Sequence, residues 1–149
     1  MGGGQGGAWR GGSQRSSFQC KVQKANCKMQ NKRNDLSERL LDFATNIVKL
    51  VTQLNKSPVG RHVAGQLIRS GTSAGANYEE ACGAESRLDF AHKLQIVLKE
   101  LRESLYWLRL AQRAALIPQS DPALASLLQE AKELANIVGK SIVTVKRGR

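Results

Sequence analysis

Residues 69–86, RSGTSAGANYEEACGAES, lie at the centre of the chain and decide its fold. Residues 70–76 are all Gly, Ala, Ser or Thr, a composition that is also common in loops. A phosphate-binding glycine turn follows a strand, and no strand pattern precedes this stretch. The positions of a candidate buried stripe recur at spacings of three and four: Ala64, Leu67, Gly71, Ala74 and Tyr78. This period predicts a helix whose small residues let a neighbouring helix approach closely.

Apolar residues on both sides of this stretch repeat with the same helical period. In the first segment, about 36–56, they are Leu36, Leu40, Phe43, Ile47, Leu50 and Leu54. In the third segment, about 87–115, they are Leu94, Leu98, Leu101, Leu105 and Leu108. In the fourth segment, about 122–145, they are Leu124, Leu127, Leu128, Ala131, Leu134, Ala135, Val138 and Ile142. These stripes predict three further amphipathic helices beside the helix of the second segment, which covers about 59–82.

Start and stop signals separate the four segments. The predicted helix starts are Asp35 with Glu38, Ser86 with Asp89, and Asp121 followed by Pro122. Pro58 ends the first helix because proline disfavours helical geometry at the residue before it. Four helices joined by short links predict an all-α fold, an antiparallel up-down-up-down four-helix bundle.

The net charge of +11 is concentrated near the N-terminus. Residues 1–33 contain seven basic residues and no acid, whereas residues 34–149 contain 16 basic and 12 acidic residues, a net charge of +4. We therefore divide the chain into a disordered, basic Gly/Ser/Arg-rich tail, 1–33, and the bundle, 34–149. Two explanations of the tail stay open. It is an arm that contacts RNA with the help of Trp9, or it precedes a natural start at Met29.

The composition argues against membrane and secreted proteins. No apolar run approaches the roughly 20 residues that span a bilayer. The N-terminus also lacks the apolar core of a secretory signal. Cys20, Cys27 and Cys82 are odd in number and lack metal-ligand spacing, which indicates reduced thiols in a cytoplasmic protein.

Signals of catalysis are weak. His62 and His92 are thirty residues apart, and neither belongs to a metal-binding motif. A di-metal bundle uses Glu-x-x-His pairs, but Glu100-x-x-Glu103 has no histidine. We interpret these carboxylates, with Glu79 and Glu80, as partners in structural ion pairs, and expect no enzyme activity, metal or cofactor.

The third helix carries a second stripe beside its leucines. Its members follow spacings of 3, 4, 3 and 4: Lys99, Arg102, Tyr106, Arg109 and Arg113. Arginine and lysine contact phosphates, and tyrosine stacks on bases, so this basic stripe is a candidate nucleic-acid surface. The alternative is a solvated face, or one that meets glutamates of a neighbouring subunit.

Two blocks of sequence resemble a known family. The first has the pattern R-S-x-x-S-x-x-x-N-x-x-E, here Arg69, Ser70, Ser73, Asn77 and Glu80. The second comprises Phe90, Lys93, Leu94, Glu100, Glu103, Trp107 and Leu108. Over residues 36–145 the chain resembles the four-helix proteins encoded by intervening sequences in large-subunit ribosomal RNA genes. The accessory variability determinant of diversity-generating retroelements is part of that superfamily.

This resemblance implies a homo-oligomer, with a ring-shaped pentamer as the precedent, and no catalysis. For the retroelement relatives it implies a basic barrel that associates with a reverse transcriptase and with RNA or DNA. The signature positions Arg69, Ser73, Asn77, Glu80, Glu100, Glu103 and Trp107 resemble determinants of folding and assembly. Because a charge near a bundle core requires a partner, we expect Arg69 to pair with a glutamate across the second and third helices.

Two functions follow as hypotheses. The first is an oligomeric adaptor that associates with RNA or DNA, and its binding would weaken steeply with salt. The second is a homo-oligomeric scaffold that binds a protein partner without nucleic acid.

Overall fold

The computed structural model describes residues 35–148, which form four helices and no strand. The predicted tail, with Trp9, Cys20, Cys27 and Met29, lies outside the described residues. Helix α1 covers residues 35–51 of the described chain. The others are α2, Pro58–Cys82, α3, Arg87–Arg113, and α4, Pro122–Lys146. The second, third and fourth helices start within one residue of the predicted positions.

The link between α1 and α2 is a turn rather than a continuation of the first helix. Residues 52–56 form turns, although the apolar pattern predicted a helix through 56. The Ser57 hydroxyl accepts a hydrogen bond from the Gly60 N–H at 3.0 Å and caps α2. A side chain at Gly60 would overlap the Leu54 carbonyl oxygen, so the tight turn requires glycine there. Leu54 is nevertheless buried, as its place in the stripe predicted.

The predicted start signals of α3 and α4 are present in the structure. The Ser86 hydroxyl accepts from the Asp89 N–H at 3.1 Å. The Asp121 carboxylate accepts from the N–H groups of Ala123 and Leu124 at 2.8 and 3.1 Å. The Leu124 N–H is the main cause of a lowered pKa at Asp121. These caps satisfy backbone donors that a helix start leaves without internal partners.

Helix α3 ends at Arg113, two residues before the predicted end. Ala115 adopts a left-handed backbone with φ of 52°, and the Leu116 N–H donates to the Ala111 carbonyl at 3.0 Å. This reversal closes the helix. Ile117 then enters the core and is fully buried.

Contacts between helices follow the order of a bundle. Ile47 of α1 meets Gly71 of α2, where an added Cβ would overlap the isoleucine side chain. Helix α2 packs along α3, and α3 packs along α4. Arg39 of α1 reaches Glu130 of α4, which closes the ring of four helices. The close approach predicted for the small residues of α2 is therefore present at Gly71.

The buried stripe of α3 differs from the predicted one. Leu94, Leu101 and Leu108 are fully buried, but Leu98 and Leu105 are only half-buried. Val97 and Ser104 take the central positions instead. Ser104 faces α2, where its hydroxyl donates a hydrogen bond to Ser70 at 2.9 Å. The stripes of α1, α2 and α4 are buried much as predicted; only Leu128 and Ala135 are half-buried.

Candidate nucleic-acid interface and the polar network behind it

A polar network joins α2 to α3 around Arg69. The Arg69 guanidinium donates to the Glu103 carboxylate and also lies 3.5 Å from Glu100 Oε2. Glu100 Oε2 is buried and accepts no hydrogen bond from the described residues, so Arg69 is its nearest compensating charge. The pair predicted from the sequence, an Arg69–glutamate contact across the second and third helices, is present.

Glu103 is the centre of this network. The hydrogen bond from Arg69 is the main reason that the pKa of Glu103 lies below its ordinary value. The Trp107 indole N–H also donates to Glu103 Oε1, at 3.4 Å, and the positive charge of Lys99 acts in the same direction. Burial opposes these effects, but the carboxylate form is still favoured.

Two further pairs from the sequence blocks, Asn77 with Ser73 and Lys93 with Glu80, join residues that are closer together in the sequence. The Asn77 amide donates to the Ser73 carbonyl at 2.8 Å within α2. Lys93 donates to Glu80 at 2.7 Å and connects the C-terminal end of α2 to α3. Ser73 and Asn77 thus stabilise their own helix, whereas Glu80 acts between helices.

A second ion pair, Arg39 with the acids of α4, was not predicted from the sequence. Arg39 Nε and Nη2 donate to the two carboxylate oxygens of Glu130 at 2.9 and 2.8 Å, and Nη2 also lies 3.1 Å from Glu133. The Glu130 hydrogen bond is the main cause of a raised pKa at Arg39. Two parallel hydrogen bonds fix the relative position of the two helices.

The basic stripe on α3 is exposed along its whole length. Its members are Lys99, Arg102, Tyr106, Arg109 and Arg113. None of its four cations forms an ion pair within residues 35–148. Glu100 and Glu103 of the same helix lie on the α2 side and are held by Arg69. Within the described residues, the carboxylates of α3 therefore form no ion pair with the basic stripe, although the charge of Lys99 acts on Glu103.

Two shallow grooves border the basic stripe, one of them shared with α4. Lys99 and Arg102 line one groove of about 520 Å³ with Leu98, Gly139 and Val143. A Cβ at Gly139 would meet no atom within 4 Å, so this chain itself does not require glycine there. At the other end of α3, Tyr106, Arg109 and Arg113 line a groove of about 450 Å³. The basic stripe thus has concave, partly apolar surfaces beside its cations.

An aromatic cluster supports the middle of the basic stripe. Tyr106 and Trp107 pack edge to face, with ring centroids 5.1 Å apart. Trp107 makes a similar contact with His62 of α2 at 5.8 Å. His62 is therefore an exposed partner of a tryptophan, and His92 is exposed elsewhere on α3.

Metal-binding clusters and membrane-spanning helices are both absent from the described part of the chain. Between residues 35 and 148, no three His, Cys, Asp or Glu side chains lie close enough together to hold a metal ion. No helix over those same residues is both long and apolar enough to cross a bilayer.

Comparisons with known proteins agree with the fold. A crystal structure of a protein of unknown function from Bacteroides thetaiotaomicron, assigned to the S23 ribosomal protein family, is 36% identical. The match covers 72% of this chain and 97% of that one, with a TM-score of 0.66. No curated protein matches the sequence. The profile of the 23S rRNA-intervening sequence protein family matches residues 32–140, and neither description names a catalytic activity. The chain belongs to the 23S rRNA-intervening sequence protein family.

Proposed function

We propose that the protein is a non-catalytic, homo-oligomeric adaptor of the cytoplasm that associates with RNA or DNA through the basic stripe of α3. One observation carries the proposal: the cations of the basic stripe are exposed and form no ion pair within residues 35–148. By contrast, Arg39, Arg69 and Lys93 are each held by a carboxylate. A row of like charges on one helix face raises the local potential that attracts polyanions.

The geometry of the basic stripe suits a phosphate backbone. Lys99 and Arg113 are separated by about 21 Å along the helix axis at 1.5 Å per residue. A guanidinium binds two phosphate oxygens through parallel N–H groups, and three of the four cations are arginines. A row of this length accommodates several consecutive phosphates. Each contact would release counterions, so affinity would fall with rising salt.

Association with a reverse transcriptase is a separate prediction, based on the resemblance to retroelement accessory proteins. It is tested by co-purification with a reverse transcriptase encoded beside this gene. Failure of that test would leave binding to nucleic acid through the basic stripe untouched, because the stripe does not depend on an enzyme partner.

A homo-oligomeric scaffold is the second candidate function, and exposed apolar side chains on one face favour it. Leu41 and Val48 of α1 and Ile68 of α2 are 59%, 47% and 39% exposed. Because Leu40 lies against Gly75 and Ile47 against Gly71, helical spacing places these three side chains beside the contact between α1 and α2. A clustered apolar surface favours contact with another protein surface. We propose that this surface, the α1–α2 face, contacts a second copy in a homopentamer.

The adaptor function is tested by reversing charge in the basic stripe. The variant Arg102→Glu with Arg109→Glu is compared with Lys49→Glu with Arg61→Glu, which changes the net charge equally at exposed residues of α1 and α2. Loss of RNA and DNA binding in the first variant alone supports the adaptor. Equal binding by both variants and the unchanged chain would favour the scaffold.

A further inference from the structure

The groove at the C-terminal end of α3 has the composition of a base-binding site. It measures about 450 Å³, and its lining residues are Tyr106, Arg109, Leu110, Arg113 and Ala114. Tyr106 is 57% exposed although it is a large aromatic side chain. Leu110 and Ala114 provide apolar surface beside the ring, and two guanidinium groups lie at the same groove. The groove therefore combines a flat aromatic ring with phosphate-binding groups.

The Tyr106 ring is held by a chain of contacts that reaches α2. It packs against Trp107 at an interplanar angle of 80°. Trp107 is fixed in turn by the His62 ring, at an angle of 76°, and by the hydrogen bond from its indole N–H to Glu103. Glu103 is tied to Arg69. An aromatic ring that is already immobilised loses little entropy when a ligand stacks on it.

The combination of an exposed aromatic ring with guanidinium groups favours single-stranded over duplex nucleic acid. In a duplex, each base is stacked between its neighbours, and a protein surface meets mainly phosphates and groove edges. In a duplex, the face of an exposed aromatic ring finds no unstacked base to stack on. Single strands expose base faces, and proteins bind them with aromatic platforms along a basic groove. The alternation of cations with one tyrosine in the basic stripe matches the second case.

We infer that this groove binds an unpaired base of single-stranded nucleic acid, stacked on Tyr106, with flanking phosphates on Arg109 and Arg113. The inference rests on the proposed nucleic-acid association and specifies its substrate class. Trp107 is a positioning residue in this site, because it touches Tyr106 rather than the ligand. Stacking is available to bases of RNA and of DNA alike, so the shared chemistry is an unpaired base between phosphates.

The test compares single strands with a duplex. Fluorescence anisotropy of labelled oligonucleotides is measured with the full chain, using single-stranded RNA, single-stranded DNA of the same sequence, and blunt duplex RNA of equal length. The variants are Tyr106→Ala and Tyr106→Phe, of which the second keeps the ring. Circular dichroism melting verifies that both variants fold, as expected for an exposed side chain.

We expect Tyr106→Ala to weaken single-strand binding by roughly 5- to 150-fold, the usual effect of removing an aromatic ring on which one base stacks. Its salt slope should stay unchanged, because no cation is removed. Tyr106→Phe should bind as the unchanged chain does, and duplex affinity should be the same for all three proteins. A preference for RNA over DNA would indicate an additional contact to the ribose hydroxyl, whereas equal affinity would indicate that the site binds only the base and the phosphates. Both outcomes support stacking.

Two results would overturn the inference, and they differ in what else they overturn. If the unchanged chain binds nucleic acid but Tyr106→Ala binds single strands equally well, the base site is wrong and the adaptor function stands. If the unchanged chain binds none of the three oligonucleotides, the adaptor function itself is wrong, and the base site with it.

Discussion

Two glycines of α2, four residues apart, differ in what the fold demands of them. At Gly71 an added Cβ would overlap the Ile47 side chain, which is fully buried and has little room to move. At Gly75 the nearest atom to an added Cβ is Leu40 Cβ at 3.7 Å, an ordinary contact. The sequence pattern assigned both glycines to close helix contacts, but only Gly71 requires its small size.

Replacing each glycine by alanine tests this difference. Both changes gain about 1 kcal/mol of helix propensity, but Gly71→Ala also overpacks the core at a cost of about 1–3 kcal/mol. Gly71→Ala should therefore be less stable than Gly75→Ala by about 1–3 kcal/mol in urea unfolding. Each variant is the control for the other, because both lie on α2. Equal stability of the two would contradict the close contact at Gly71.

At the scale of single residues, the sequence identified some partners and missed others. The Arg69 pair was predictable because a cation and two glutamates occupy adjacent helices of a bundle, where few other partners exist. The Arg39–Glu130 pair joins positions 91 residues apart. Its prediction needs the register of α1 against α4, which no local pattern specifies.

At the scale of helices, the α2–α3 seam depends on a carboxylate. Glu103 accepts from both Arg69 and Trp107, and its pKa is lowered from an ordinary 4.5. A group whose pKa is lower when folded contributes stability above its unfolded pKa and loses it as the pH falls through the folded pKa. Glu133 and Asp121 have lowered pKa values as well, so they act in the same direction.

We expect the bundle to lose stability as the pH falls below about 4.5. Glu103→Gln should be less stable than the unchanged chain at pH 7, and it should lose less stability on acidification because one of the three titrating groups is gone. The measurement is the urea midpoint at several pH values between 7 and 3. Glu85→Gln, at an exposed position that forms no ion pair with the described residues 35–148, is the matched control. The same acid dependence in all three proteins would contradict the role of Glu103.

The helices themselves were predictable, but the rotation of α3 was not. Apolar periodicity is local, so Leu40, Leu67 and Leu134 were assigned to the core and are fully buried. The leucines of α3 cover a broad part of the helix surface, and the sequence did not specify which of these positions face the core. Ser104 is polar but fully buried, and its hydroxyl donates a hydrogen bond to Ser70, as buried polar groups require a partner.

At the scale of the whole molecule, the proposed contact between copies at the α1–α2 face leads to a prediction about assembly. Leu41→Glu with Ile68→Glu would place carboxylates in an apolar contact, which is costly without partners. Native mass spectrometry should give five times 16.3 kDa for the unchanged chain and one chain for this variant. Leu88→Glu is the control, since Leu88 is 81% exposed at the start of α3. If the double variant still forms a pentamer, the contact between copies lies outside the α1–α2 face. If the unchanged chain is a monomer, the proposed homopentamer is wrong.

We propose that the bundle, rather than the basic N-terminal segment, binds nucleic acid. Residues 1–33 hold seven of the 23 basic residues, so the bundle's own contribution must be measured without most of them. The basic stripe provides the alternative source of attraction, with four cations on one exposed helix face.

The most direct measurement is the affinity for labelled structured RNA across a salt series, for residues 1–149 and for residues 29–149. Both chains are also made with Arg102→Glu and Arg109→Glu. We predict binding by both unmodified chains, with the charge reversal lowering affinity at least tenfold and reducing the salt slope by about 0.7 for each phosphate that the basic stripe no longer binds. Binding that disappears when residues 1–28 are removed, or that survives charge reversal with its salt slope unchanged, would contradict the assignment of the basic stripe.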